Sequence, residues 1–122
     1  MSVLMSTEKG VKLDNDKPRM DLVLGGFAKA LYEIGRVGTF GADKYSDNGW
    51  KYVENGMERY LSAMLRHYIK YKNGELIDEE SGLQHLSHMA WNALAVLQLS
   101  IEEEHNDVPV RINFTPSGYI ET

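Results

Sequence analysis

The stretch from Gly56 to Glu104 reads GMERYLSAMLRHYIKYKNGELIDEESGLQHLSHMAWNALAVLQLSIEEE. Its first part, Gly56 to Lys72, places Leu61, Met64, Leu65 and Tyr68 at spacings of three and four, the period of an amphipathic helix. Asn73 and Gly74 supply the stop, since both tolerate the left-handed backbone that ends helices. A short acidic segment, Glu75 to Gly82, follows, with Ser81 as the expected N-cap of a helix from Gly82 to about Glu104. The expected core stripe of that helix is Leu86, Met89, Ala90, Ala93 and Leu97. Two helices joined by so short a loop are antiparallel neighbours.

Upstream, Phe27, Ala30, Leu31, Ile34 and Val37 repeat the helical period over Leu24 to about Phe40, with Gly35, Gly38 and Gly41 expected to weaken its end. Thr39 to Asn55 mixes turn residues with aromatics and reads as a connector containing a possible short helix. Met1 to Thr7 is expected to fray, and Glu8 to Pro18 is polar. Pro18 biases Lys17 away from helix, so an extended or turning segment is expected as far as Leu22. After His105, the alternation of Val108, Val110, Ile112 and Phe114 suggests an extended arm or edge strand. The fold class expected is all-α: a small helical bundle, one domain over 1–122 with its core at about 11–104, an irregular N-terminal arm and an extended C-terminal arm at 105–122.

The 122 residues carry 13 Lys and Arg against 18 Asp and Glu, a net charge of −5, and no cysteine. An acidic chain of this kind argues against binding a nucleic-acid polymer, which needs concentrated cations to displace counterions. Without cysteine there are no disulfides, thiolate zinc sites or thiol nucleophiles, so any metal must sit on His, Asp, Glu or Asn. No apolar run is long enough for a signal peptide or a membrane span, and a cytoplasmic protein is expected.

Chemistry concentrates on the hairpin. His67, His85 and His88 lie on its two helices, and Glu75, Asp78, Glu79 and Glu80 lie in the loop between them. At about 100° per residue, His85, His88 and Asn92 share a sector about 60° wide. His67 sits about two turns before the loop, so the imidazoles can face one another. Imidazoles with carboxylates suit Mn, Co or Zn, whereas Mg prefers carboxylate and water. The competing reading is a pair of half-buried histidines bonded to neighbours beside a solvated acidic loop. Lys17, Arg19, Lys44, Arg59, Arg66 and Lys70 are scattered rather than blocked together; scattered cations are commonly a solvated surface, yet arginine is the side chain shaped to grip phosphate. Tyr45, Asn48, Trp50 and Tyr52 can stack on a base and bond its edge, or simply cover the end of the core.

Five blocks in order, KPRMDLV (Lys17 to Val23), FGADKY with NGW (Phe40 to Trp50), AMLRH (Ala63 to His67), GELIDEESG (Gly74 to Gly82) and HLSHMAWNAL (His85 to Leu94), resemble the phage-encoded dATP/dGTP diphosphohydrolase family. That family is related to the MazG-like all-α nucleoside triphosphate pyrophosphohydrolases, and the resemblance runs over about Val11 to Gln98. It implies a MazG-like bundle and hydrolysis of a purine deoxynucleoside triphosphate between the α- and β-phosphates, with a divalent metal, in nucleotide-pool remodelling by a phage. The host cytoplasm would be its location. The MazG pattern of ExxE on one helix and ExxD on the next is missing, and His85 and His88 stand where ExxD would fall. Either histidines replace carboxylates as ligands, or Glu75, Asp78 and Glu80 hold the metal with histidines behind them.

The expected ligand set is therefore His67, Glu75, Asp78, Glu80, His85 and His88, with Mg or Mn, or else Co or Zn. Asp78 or Glu80 is the expected general base. Lys17, Arg19, Lys44 and Arg66 are the phosphate candidates, and Tyr45, Asn48, Trp50 and Asn92 complete the substrate candidates. A homo-oligomer, dimer or tetramer, is expected, packing through the Phe27 to Val37 face or the C-terminal arm. Two rivals are an HD-like dNTP triphosphohydrolase, disfavoured because no adjacent His-Asp pair occurs, and a non-catalytic helical adaptor.

Overall fold

The computed structural model describes residues 10, 11 and 13–104. Four α-helices appear in it: α1 Met20–Leu24, α2 Ala28–Lys44, α3 Gly56–Lys72 and α4 His85–Glu104, with one turn of 3-10 helix at Gly49–Tyr52 between α2 and α3. The described residues hold no strand, only an isolated antiparallel bridge between Ile77 and Gln84. The all-α expectation is met. The expected C-terminal arm lies outside the described residues.

The α3 helix has the bounds its sequence predicts. Asn55 enters it with φ 57° and Asn73 leaves it, its N–H bonding back to the Ile69 carbonyl at 3.0 Å. Three other boundaries differ. α1 forms within the segment expected to be extended or turning, starting two residues after Pro18. α2 runs past Gly35, Gly38 and Gly41 to Lys44, because packing offsets the weak helix propensity of glycine. Gly38 faces Trp91 of α4, where a Cβ would lie 3.5 Å from the indole nitrogen, an ordinary van der Waals contact. α4 begins at His85 rather than Gly82, because residues 76 to 85 close a small loop instead. There the Asp78 N–H donates to Leu83 O (2.8 Å) and the His85 N–H to Leu76 O (2.9 Å), with Gly82 at φ 73°. Ser81 is consequently not the N-cap.

α3 and α4 pack antiparallel, with Gly56 opposite Leu99 and His67 opposite His85. A Cβ on Gly56 would meet Leu99 at 3.3 Å, tighter than an ordinary contact, so the two helices approach closely here. The core is Val53, Tyr60, Ala95 and Leu99, with Trp50, Met57, Trp91 and Val96 packed against it. Trp50, Tyr60 and Trp91 meet edge to face at centroid distances of 5.5 to 6.1 Å, and the Tyr60 hydroxyl donates to Trp50 O at 2.6 Å. That hydrogen bond fastens the connector to the helix pair.

The seam is rotated round each helix from the one expected. His85, Ser87, His88, Asn92, Ala95 and Leu99 of α4 point inward, while Leu86 and Leu97 of the expected core stripe are exposed, as are Leu61, Leu65 and Tyr68 of α3. Leu97 is 55% exposed and Leu99 0%. Periodicity fixes which residues share a face but not which face turns to the partner helix. Here the faces bearing Gly56, Ala63 and Ala95 meet because small residues permit close approach.

Candidate functional site

The inward histidine face of α4 and the loop before it make the site. Asp78 is placed by its own loop: its carboxylate accepts the Ser81 N–H at 2.8 Å, and its carbonyl accepts the Gly82 N–H at 2.8 Å. Ser81, held by the Leu83 N–H on its hydroxyl (3.1 Å), lies 2.7 Å from His88 Nε2. The Asp78 carboxylate is 3.7 Å from the same nitrogen. His88 is thus anchored from the loop, and its ring stacks on His67 with a 4.4 Å centroid distance and 7° between planes. Phe40 of α2 closes the outer side, edge-on to His88 at 6.4 Å.

Behind this stack a second chain of contacts runs from Glu75 to His67. His85, fully buried, has Nε2 at 2.7 Å from the Glu75 carboxylate and Nδ1 at 2.8 Å from His67 Nδ1. Facing nitrogens at that distance require one N–H and one lone pair. The Glu75 carboxylate can only accept, so the tautomer of His85 with its hydrogen on Nε2 satisfies both contacts: Nε2–H donates to Glu75, and Nδ1 accepts from His67 Nδ1–H.

Burial governs the charges. The His67 pKa is lowered to about 4, chiefly by desolvation and then by His88 and His85. His88 is lowered as well, again by burial, with Asp78 opposing. Burial pushes Asp78 up, but the Ser81 backbone and hydroxyl hydrogen bonds and the facing His88 and His67 outweigh it, leaving the carboxyl below its ordinary value. At neutral pH the site therefore presents neutral His67 and His88 imidazoles beside an ionised carboxylate, which is the protonation state metal ligands need.

Ligand atoms of His67, Asp78 and His85 lie within 4.8 Å of one another. Two imidazole nitrogens and a carboxylate oxygen suit a transition-type divalent ion. A metal engaging both His67 and His85 through Nδ1 must take the place of their mutual hydrogen bond. Among the described residues, this is the one such group of three.

A cavity of about 260 Å³ opens on the His67, Asp78 and His88 side. Lys44, Arg66 and Lys70 bring positive charge to its wall, and Phe40, Tyr45 and Trp91 bring apolar surface. Lys44 is paired with Glu80, whose hydrogen bond raises the Lys44 pKa despite some desolvation, and its ammonium lies over the Phe40 and Tyr45 rings. An adjoining cavity of about 370 Å³, between α2 and the connector, shares Gly41, Tyr45 and Trp91 with the first and adds Asn48 and Trp50.

Of the residues singled out from sequence, His67, Asp78, Glu80, His88, Lys44, Tyr45, Arg66 and Asn92 come together around the first cavity. His85 and Glu75 stand behind it, Asn48 and Trp50 in the neighbouring one. Lys17 and Arg19 join neither: both are exposed, and Arg19 pairs with Asp21 at 2.6 Å. Asn92 is 1% exposed and donates Nδ2 to the His88 carbonyl at 2.8 Å, while its Oδ1 has no partner. Sequence reasoning passed over Ser81 as a histidine partner and Phe40 and Trp91 as walls, since a serine or an aromatic in a helical repeat carries no mark of the cavity it will line. Lys70 did carry one: it follows His67 by three residues and shares its flank.

A family model described as dATP/dGTP diphosphohydrolase, N-terminal, matches residues 7–108. A curated dATP/dGTP diphosphohydrolase of Salmonella phage PMBT28 is 30% identical over 90 residues, covering 74% of this chain and 29% of that protein. The chain spans less than a third of the length of the curated relative it matches. No solved structure gives a significant match.

Proposed function

Since the chain belongs to the dATP/dGTP diphosphohydrolase N-terminal family, we propose that it is a metal-dependent nucleotide hydrolase, converting dGTP or dATP to the monophosphate and pyrophosphate. The observation that carries this reading is that two members of the His67, Asp78 and His85 group, His67 and Asp78, share one cavity with Lys44, Arg66 and Lys70, with His85 directly behind. Neutral nitrogen donors, an ionised carboxylate and nearby cations together suit a polyphosphate bridged by a divalent ion better than either partner alone.

In this reading, His67, Asp78 and His85 hold a divalent metal, Mn or Mg, or else Co or Zn, which supplies charge neutralisation and an acidified water when bound. Glu75 orients His85 through Nε2, and Ser81 does the same for His88. Arg66 and Lys70 bind phosphate oxygens, and Lys44 joins them by exchanging its Glu80 contact for the substrate. Glu80 is then the carboxylate on the cavity wall free to take the proton of the attacking water. The new P–O bond forms to that water's oxygen as the bond to pyrophosphate breaks. The purine lies toward Tyr45, Trp50 and Asn48, in the adjoining cavity. Residues 11–104 act as one MazG-like domain, assembled as a homo-oligomer, in the host cytoplasm and in the service of a phage nucleotide pool.

The test is product identification for every dNTP and NTP with Mg or Mn. dGTP or dATP should give dNMP and pyrophosphate, and His85→Ala and His88→Ala should each lose most turnover. Tripolyphosphate would point to the HD-like triphosphohydrolase. Absence of turnover together with absence of metal-dependent stabilisation by purine nucleotides would point to the helical adaptor.

A further inference from the structure

Asn92 lines the candidate site with half of its hydrogen bonding unmade. It is buried on the inner face of α4 and borders the cavity of about 260 Å³. Its Nδ2 donates to the His88 carbonyl at 2.8 Å, one turn back along the helix, while its Oδ1 is shut off from solvent and has no partner. A carbonyl can only accept, so the NH₂ side of the amide must face it, and turning the amide round would set oxygen against oxygen. The idle group is therefore fixed as an acceptor. A buried acceptor without a donor is a standing cost to the folded chain, and the few that native structures keep call for an explanation.

Whatever meets this oxygen must bring a hydrogen. Phosphate oxygens are acceptors, so a triphosphate does not supply one. The donors on a purine deoxynucleotide are the N–H groups of its base and the 3′-hydroxyl of its sugar, and the two cavities tell them apart. Lys70, Asp78 and Glu80, from the loop end of the hairpin, share the first cavity with Asn92, which stands one turn, about 6 Å, farther from the loop than His88. Its neighbour Trp91, together with Gly41 and Tyr45, also lines the adjoining cavity that holds Asn48 and Trp50; Asn92 does not. Asn92 thus comes after the phosphate-binding groups and before the base, at the level of the sugar.

We infer that Asn92 reads the sugar: its Oδ1 accepts a hydrogen bond from the 3′-hydroxyl of the substrate, and the site selects nucleotides that carry one. The inference rests on the function proposed above, with phosphate toward Lys44, Arg66 and Lys70 and purine toward Trp50, and it adds recognition of the part between them. Because Oδ1 has no open surface in the free chain, seating the hydroxyl takes a side-chain or helix shift on the order of 1 Å, within what binding commonly brings. A nucleotide lacking the hydroxyl leaves the acceptor as unmet as before, and a site built around a substrate hydroxyl discriminates on that ground.

Steady-state hydrolysis of dGTP, dATP and their 2′,3′-dideoxy analogues with Mg or Mn tests this, alongside thermal melting in a chelator. For the wild type, kcat/KM should favour the 3′-hydroxyl about tenfold, the scale of one hydrogen bond to a buried acceptor. In Asn92→Leu, which keeps the shape and deletes both polar atoms, that ratio should fall to about one. The same variant should melt at or above the wild-type temperature, since the idle acceptor is gone and the His88 carbonyl keeps the helical backbone N–H of position 92. An amide retained for packing alone would do the reverse, lowering the melting temperature and leaving the ratio as it was. A wild-type ratio near one, a ratio unchanged in Asn92→Leu, or a melting temperature lowered by several degrees each overturns the role of Asn92, while release of monophosphate and pyrophosphate from dGTP or dATP upholds the function it rests on. No hydrolysis of any of these nucleotides overturns both.

Discussion

Acid should unfold this protein through its histidines before its carboxylates. In the metal-free chain His67 titrates at about 4 against an ordinary value of 6.5. Above 6.5 neither the folded nor the unfolded chain protonates it, and below about 4 both do. Between them only the unfolded chain binds the proton, so stability is complete above 6.5 and falls as pH drops toward 4. At about 1.36 kcal/mol per pH unit, the interval comes to about 3 kcal/mol, and solvent screening of a half-buried ring trims it to about 2 kcal/mol. His88, lowered by burial, pulls the same way. Asp78 acts in a separate window: its pKa is depressed, so its contribution is lost only as pH falls below the ordinary carboxyl value of 3.8. Urea unfolding in a chelator, from about pH 7.5 to 4, should show the midpoint falling by about 1 M, with a shallower fall in His67→Gln. A midpoint that stays level across this window, or a slope equally steep in His67→Gln, would refute the reasoning.

Further outcomes follow from single contacts. Leu99→Ala should cost about 3 kcal/mol in chemical denaturation, since Leu99 is fully buried between Val53, Tyr60 and Ala95, whereas Tyr32→Ala, at an exposed site, should stay within about 0.5 kcal/mol. Tyr60→Phe removes the 2.6 Å hydrogen bond to Trp50 O and should cost about 1 kcal/mol, with a matching change in tryptophan fluorescence. Mn or Zn should raise the melting temperature of the wild-type chain, and Asp78→Asn should abolish most of that rise while leaving the metal-free melting temperature within a few degrees of wild type. Ser81→Ala frees His88 Nε2 and should lower turnover about tenfold while leaving metal stabilisation near that of wild type.

Much of the hairpin was legible in the chain. Asn55-Gly56 and Asn73-Gly74 bracket α3 because Asn and Gly accept the backbone angles at helix ends, and no distant contact is needed to place them. The three histidines and the acidic loop were visible as a concentration of ligand types, and the structure brings them within bonding distance. Other features depend on neighbours remote in sequence. Ser81 looked like a cap because it precedes a helical repeat, but the bridge of Ile77 to Gln84 delays the helix, and the hydroxyl turns to His88 instead. Lys17 and Arg19 were phosphate candidates by residue type, yet they line neither cavity, and Arg19 is taken up by Asp21.

The sequence by itself determined the three longer helices α2, α3 and α4, the antiparallel turn between α3 and α4 and the gathering of His67, His85, His88 and Asp78 at one end of that turn, because spacing and loop length are local. Only the tertiary structure decided which side of each helix became the inside. Leu61, Leu65, Leu86 and Leu97 satisfy the helical period as well as Tyr60, Ala63, Ala95 and Leu99 do. The choice fell to the face where Gly56, Ala63 and Ala95 let the backbones close and where buried histidines could satisfy one another through Glu75, Ser81 and Asp78. Hydrophobic pattern gives the angle between residues on a helix; the turn of the helix toward its partner is set by how closely the two surfaces can approach.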